Sequence, residues 1–216
     1  MLVSLKHQFA FFSNPKCATT SIENYLKDHC EISINSTKFG KHIRPENFGR
    51  LSLFLRDQCN ITSLKTICTD RNPVDKLISW YTYRSRPRLK TANPSRYVGN
   101  TDFRDFCRAR MQKFPLKFYY NIQKNIYEVD FVVPLEHLSL LEAFFQRKLK
   151  TNDEFPRRNI SRPKNSEEVL RYKEIALEEI KNASSEFLLG VEMYNTILDF
   201  YNNSGKNRII RIGKIF

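Results

Sequence analysis

The sequence predicts an α/β protein built around a central parallel sheet. Short apolar strand patterns alternate with longer helical patterns along the chain, and this alternation is typical of parallel strands that are connected by helices. At 216 residues, with aromatic side chains making up 13% of the composition, the chain can bury a substantial core. Because it has neither internal repeats nor a linker-like stretch, we predict a single domain over residues 1–216.

Each element follows from its hydrophobic period. Period-2 or continuous apolar runs predict four strands, at Phe9–Ser13, Glu31–Ile34, Leu64–Thr69 and Phe131–Val133. A 3.6-residue period predicts seven helices, at Thr20–Asp28, Pro45–Gln58, Pro73–Tyr83, Asp102–Lys113, Leu138–Leu149, Ser166–Lys181 and Ser184–Tyr201. We predict loops at Asn35–Arg44, Arg84–Asn100 and Lys150–Asn165, a partly helical stretch at Tyr119–Tyr127, and an edge strand or ordered arm at Asn207–Phe216.

The turn after the first predicted strand has the composition of an anion-binding loop. It reads NPKCATTS from Asn14 to Ser21 and leads directly into a helix pattern. The N–H groups and dipole of a helix N-terminus favour an anion, Lys16 adds a mobile charge, and three hydroxyl side chains add donors. The nucleotide-triphosphate motif GxxxxGK[ST] is absent, since this loop has no glycine and its lysine comes at the start. A different anion is therefore indicated.

A second strand-to-helix turn has a related composition. The predicted strand ending at Thr69 is followed by Asp70 and Arg71, then by Asn72 and Pro73, which suit the N-cap and the first position of a helix. Arg71 thus lies at the carboxyl end of a strand, the edge at which open α/β sheets bind ligands. Ser79 lies two turns further on. A salt-bridged arginine and a surface serine are the alternative interpretation.

The two segments NPKCATTSIENYL and RNPVDKLISWY resemble the two cofactor-binding signatures of the sulfotransferases. The resemblance implies a three-layer α/β/α fold of the phosphate-loop-like type. It also implies 3′-phosphoadenosine 5′-phosphosulfate as sulfuryl donor, adenosine 3′,5′-bisphosphate as product, a hydroxyl acceptor on a carbohydrate, and no metal. Lys76 stands where the second signature has an arginine, so we do not assign it to the cofactor.

Site residues follow from matching these signatures to the chain. The first signature, PKxxxTS, implies that the 5′-phosphosulfate is bound by Lys16, Cys17, Ala18, Thr19, Thr20 and Ser21. The second, RxPxxRxxSxY, implies that Arg71 and Ser79 bind the 3′-phosphate. A late loop closes over the nucleotide in the family, and this implies Ser161 and Arg162, although a solvated charge run is an equal alternative. The segment Val129–Phe145 resembles a third, weaker family segment.

Sulfuryl transfer needs a base for the acceptor hydroxyl and a cation for the leaving group. We assign the stabilisation of the leaving group to Lys16. We assign the base to His42, because the pKa of histidine suits proton abstraction and because the surrounding segment resembles the histidine-bearing loop of glycan 6-O-sulfotransferases. Glu23, Glu136 and His137 remain alternatives.

A basic wall is the candidate surface for an acidic acceptor. It comprises Arg84, Arg86, Arg88, Lys90, Arg104, Arg108 and Arg110. Trp80 lies at an apolar helical position and is expected in the core. Basic residues beside aromatic ones also occur in nucleic-acid-binding proteins, but no motif of such proteins is present. We therefore expect no nucleic-acid partner.

Charge and cysteine content restrict the remaining possibilities. A formal net charge of +13 indicates an anionic partner. Five scattered cysteines without ligand spacing predict neither a disulfide framework nor a zinc site. The polar residues Lys6, His7 and Gln8 make the first segment unlike a membrane span or signal peptide, and we expect a cytoplasmic enzyme. A small-molecule kinase and a basic nucleic-acid-binding domain are the alternative functions.

Overall fold

The computed structural model describes residues 1–35, 40–113, 119–121, 126–156, 166–205 and 208–212. It confirms the α/β class. A five-stranded sheet has the order β3-β1-β2-β4-β7. Its strands are β1 (Leu2–Ser4), β2 (Phe9–Phe12), β3 (Ile32–Ser33), β4 (Lys65–Asp70) and β7 (Phe131–Pro134). A separate two-stranded sheet pairs β5 (Tyr120–Asn121) with β6 (Ile126–Tyr127).

The main sheet is mixed rather than parallel throughout. Strands β2, β4 and β7 run parallel, as predicted, but β1 pairs antiparallel with both β2 and β3. The prediction missed β1, since it spans three residues and is followed by a polar turn. That turn closes a tight hairpin in which Gln8 adopts a φ of 51° and its N–H donates to the Leu5 carbonyl at 3.3 Å.

The helices largely follow the predicted pattern. They are α1 (Thr19–Leu26), α2 (Gly49–Cys59), α3 (Pro73–Arg84), α4 (Arg88–Ala92), α5 (Phe103–Lys113), α6 (Leu138–Leu149), α7 (Ser166–Ile180) and α8 (Ser185–Asn203). Short 3₁₀ turns cover Lys27–His29, Pro45–Phe48, Pro94–Arg96 and Leu135–His137. Among the residues described, no helix is both long and apolar enough to cross a membrane.

Two stretches differ from their prediction. The segment 84–100, predicted as a loop, contains α4 and a 3₁₀ turn. The stretch 119–127, predicted as partly helical, instead contributes strands β5 and β6, which suits its tyrosine and isoleucine content.

Strand β2 is the centre of the main sheet and is buried on both faces. All four of its residues have 0% exposure. The Phe9 ring lies 5.0 Å from Phe145 of α6, and the Phe12 ring lies 5.3 Å from Phe48. Since residues three apart in a strand point to opposite faces, helical elements cover both faces of this strand.

The chain divides into two compact units. One comprises Met1–Asp70, Lys117–Asn159 and Asn195–Phe216, and contains both sheets. The other comprises Arg71–Leu116 and Ile160–Tyr194, where α3, α5 and α7 pack around a core that includes Leu77, Trp80 and Phe106. The predicted single domain stays a prediction.

Candidate functional site

The loop between β2 and α1 adopts an unusual backbone conformation. Lys16 has a φ of 66° and Ala18 a φ of 55°, both in the left-handed region that residues with a Cβ avoid. A left-handed residue next to a right-handed one can turn successive backbone N–H groups toward one side, an arrangement that binds anions. The loop thus acquires without glycine the type of turn for which phosphate loops commonly use glycine.

Helix α1 begins at a residue whose side chain cannot cap it. The N-cap residue is Ala18, and among the described residues no side-chain cap is formed there. The Ala18 carbonyl accepts the N–H groups of Ser21 and Ile22 at 3.0 and 3.3 Å. A helix N-terminus of this kind offers its first N–H groups and its dipole to an external acceptor. It therefore fits the anion that the sequence predicts at this position.

The predicted hydroxyl and thiol groups differ in their surroundings. Thr19, Ser21 and Cys17 are buried, whereas Thr20 and Lys16 are half-buried. The Cys17 thiol lies 3.3 Å from the Pro15 carbonyl and 3.7 Å from Asp70 Oδ1. Because this side chain faces the protein interior, Cys17 could contribute only its backbone N–H to a ligand.

Asp70 is a buried carboxylate that the sequence analysis did not select. It ends β4 with 3% exposure. Its Oδ1 accepts from Asn14 Nδ2 at 3.1 Å, and its Oδ2 accepts from the Tyr119 hydroxyl at 2.6 Å. Asn14 Nδ2 also reaches the Thr69 carbonyl at 2.9 Å, and Thr69 Oγ1 donates to the Cys17 carbonyl at 2.7 Å. The end of β4 therefore holds both ends of the Asn14–Cys17 segment.

His42 lies beside the start of the same loop. Its Nδ1 is 2.5 Å from the Ser13 carbonyl oxygen, and since a carbonyl only accepts, Nδ1 carries the hydrogen and Nε2 holds the lone pair. The residue remains exposed to solvent, while desolvation of its protein-facing side lowers the pKa of His42. Both predicted catalytic residues belong to the first unit. The hydrogen bond ties His42 to Ser13, which precedes Lys16 by three residues.

The alternative bases have other surroundings. Glu23 is buried, its two oxygens contacting the Ser13 hydroxyl and Lys41 Nζ, the latter at 2.6 Å. His137 Nε2 lies 2.8 Å from Asn202 Oδ1, and its ring packs 5.4 Å from Tyr201. Glu136 is exposed in the 3₁₀ turn that follows β7.

The second signature lies in the other unit. Asn72 caps α3 as predicted, its side chain accepting from the N–H groups of Val74 and Asp75 at 3.0 and 3.5 Å. Arg71 is half-buried and Ser79 is 5% exposed. The predicted residues Ser161 and Arg162 lie outside the described residues.

Several residues of the predicted basic wall make contacts within the protein. Arg104 Nη1 and Arg108 Nε bind Glu179 at 2.6 and 2.7 Å, so these two arginines hold α5 against α7 instead. The Arg110 guanidinium lies 4.3 Å from the Trp80 ring, and burial, aided by the charge of Arg84, lowers its pKa to about 10.

Comparisons of the chain with protein-family models, with curated proteins and with solved structures found no match. Within the described part of the chain, no group of three or more histidine, cysteine, aspartate or glutamate side chains could hold a metal ion. The geometry of the Lys16 loop and the two sequence signatures are therefore the features that point to a function.

Proposed function

We propose that the chain is a sulfotransferase that transfers a sulfuryl group from 3′-phosphoadenosine 5′-phosphosulfate to a hydroxyl group of a carbohydrate. One observation carries the proposal. The Lys16 loop combines left-handed backbone turns with an uncapped helix N-terminus, and His42 is fixed at Ser13, immediately before that loop. A site for an anionic group and a candidate base are thus held by one short segment.

The residues divide the chemistry between them. His42 Nε2 takes the proton of the acceptor hydroxyl while the acceptor oxygen forms a bond to sulfur. The bond between sulfur and the bridging oxygen of the donor breaks in line, and adenosine 3′,5′-bisphosphate leaves. Lys16 and the first N–H groups of α1 stabilise the charge that develops on the bridging oxygen. His42 later returns its proton to water.

The second signature supplies the other half of the proposal. From the sequence resemblance, Arg71 and Ser79 would bind the 3′-phosphate. A guanidinium can donate to two phosphate oxygens at once. The finer fold assignment, a three-layer phosphate-loop-like sulfotransferase fold, belongs to the same proposal. The parallel β2 and β4 pairing and the helical elements on both faces of β2 support it.

A thermal-shift comparison of nucleotides tests the proposed class. Adenosine 3′,5′-bisphosphate at 100 times its Kd should add about 2.7 kcal/mol of stability, which raises the Tm by roughly 5–10 °C for a chain of this size. ATP with Mg²⁺ should have a much smaller effect. The opposite preference would favour a small-molecule kinase. Stabilisation by DNA alone, lost steeply with salt, would favour a nucleic-acid-binding domain.

A further inference from the structure

A buried ion pair adjoins the His42 segment. Lys41 Nζ lies 2.6 Å from Glu23 Oε2, and the two side chains are only 14% and 8% exposed. Glu23 Oε1 also accepts the Ser13 hydroxyl. Lys41 directly precedes His42 in the chain, and Ser13 is the residue whose carbonyl receives His42 Nδ1. Glu23 therefore contacts Ser13, which accepts the hydrogen bond from His42, and Lys41, which precedes His42 in the chain.

Such a pair is not explained by stability alone. Removing two charges from water costs several kcal/mol per ion, and apolar residues of similar volume often stabilise a protein equally well. A buried pair can instead fix one arrangement of the chain segments that carry it. Here those segments are α1, which starts at the anion loop, and the 41–42 segment.

We infer that Glu23 and Lys41 are positioning residues, which hold His42 in the Nδ1–H tautomer beside the Lys16 loop. This inference rests on the proposed function, because it gives His42 the role of base. In this assignment the two oxygens of Glu23 serve to contact Ser13 and Lys41, and His42 is the base.

The two charges act on the imidazole in opposite directions. Besides desolvation, which is the largest effect, Lys41 and the Met1 amino group lower the pKa of His42, whereas the Ser13 carbonyl and Glu23 raise it. Neutralising Lys41 should therefore raise this pKa, and neutralising Glu23 should lower it. If the substitutions only made the 41–42 segment more mobile, the pKa of His42 would rise in both variants toward the ordinary value of histidine.

An NMR titration of the ring nitrogens tests this inference without a substrate. The chain has four histidines, so the His42 signals can be assigned with His42→Asn. We expect the Nδ1–H tautomer in the wild type, a higher pKa of His42 in Lys41→Met, and a lower pKa of His42 in Glu23→Gln. Lys27→Met, which changes an exposed lysine at the far end of α1, should leave the titration unchanged.

The Nε2–H tautomer in the wild type, or a shift in the same direction in both variants, would overturn the inference. Lys41→Arg, which keeps the charge, should titrate as the wild type does. This control separates the loss of the charge from a general defect in folding.

A kinetic measurement separates this inference from the proposed function. In both neutral variants kcat should fall roughly ten- to a hundredfold, because the base is misplaced, while affinity for adenosine 3′,5′-bisphosphate stays unchanged. If the wild type failed to bind that nucleotide, the proposed function would fail, and the titration would still decide whether the ion pair controls His42. Unchanged kcat in both variants of an active enzyme would overturn the positioning role.

Discussion

At the scale of single residues, the loop after β2 depends on backbone conformations that its side chains disfavour. A left-handed conformation costs an L-residue about 1–2 kcal/mol, and Lys16 and Ala18 both adopt it. Lys16 has a reason to be present in the proposed chemistry, since its ammonium would stabilise the leaving group. Ala18 has no comparable side-chain role, so a glycine should serve there equally well.

Ala18→Gly should raise the free energy of unfolding by up to about 1 kcal/mol, since glycine adopts a positive φ without a steric cost. Ala109→Gly is the matched control, because Ala109 is exposed within α5, where glycine should cost about 1 kcal/mol. Urea denaturation of both variants measures the difference. Equal losses at the two positions would contradict the left-handed conformation of Ala18.

The buried carboxylate of Asp70 connects the start of the loop to Tyr119. Tyr119→Phe removes the donor to Asp70 Oδ2 and leaves a buried carboxylate with one partner fewer. The expected loss is about 1–3 kcal/mol of unfolding free energy, measured by urea denaturation. Asp57→Asn in α2, where the exposed Asp57 pairs with its exposed neighbour Arg56, should change stability by less than about 0.5 kcal/mol. Equal effects would contradict the buried hydrogen bond.

At the scale of elements, the hydrophobic period predicted most of the helices and the parallel strands. Helix α6 begins and ends at the predicted residues, because its apolar positions repeat regularly. Very short strands that depend on their pairing were missed. Strand β1 pairs with β2 and β3, and β5 pairs with β6. Strands of two or three residues have too few positions to show a hydrophobic period of their own.

Arg71 is positioned by the turn between β4 and α3, which the sequence did predict. Arg71→Ala should weaken binding of adenosine 3′,5′-bisphosphate by on the order of 2–4 kcal/mol, as expected when a charged hydrogen-bond partner is lost. It should leave the weaker binding of AMP, which lacks the 3′-phosphate, unchanged. Calorimetric titration with both nucleotides provides the comparison. Equal losses for both would show that Arg71 does not bind the 3′-phosphate.

The packing of α5 against α7 should depend on pH through Glu179. Hydrogen bonds from Arg108 and Arg104 lower the pKa of this buried carboxyl below its ordinary value of 4.5. Its contribution to stability is therefore fully present above pH 4.5 and is lost as the pH falls through the folded-state pKa. Glu179→Gln should lower the urea midpoint at pH 7. Between pH 4.5 and pH 3 the variant should lose less stability than the wild type does.

Glu174→Gln, at an exposed position of the same helix, should keep the wild-type dependence on pH. If both variants followed the same curve, the two arginine contacts of Glu179 would not contribute to acid stability.

At the scale of the whole molecule, the excess of positive charge is compatible with any anionic partner. A net charge of +13 attracts nucleotides, acidic glycans and nucleic acids alike, so charge cannot select among them. The sequence predicted the strand-to-helix turn that carries Lys16, and it pointed to His42 as the candidate base. It could not predict the Asp70 network or the Glu23–Lys41 pair, because these link residues that are distant in sequence and become neighbours only through the order of the strands.

Calorimetric titration of the chain with adenosine 3′,5′-bisphosphate tests most directly that the Lys16 loop binds a sulfotransferase nucleotide. We predict saturable binding to one site, weakened in Lys16→Ala by about 2 kcal/mol, a roughly thirtyfold rise in Kd. Lys27→Ala, at an exposed position after α1, should bind as the wild type does. Absence of binding by the folded wild-type chain, or equal affinity in Lys16→Ala, would contradict the proposed site.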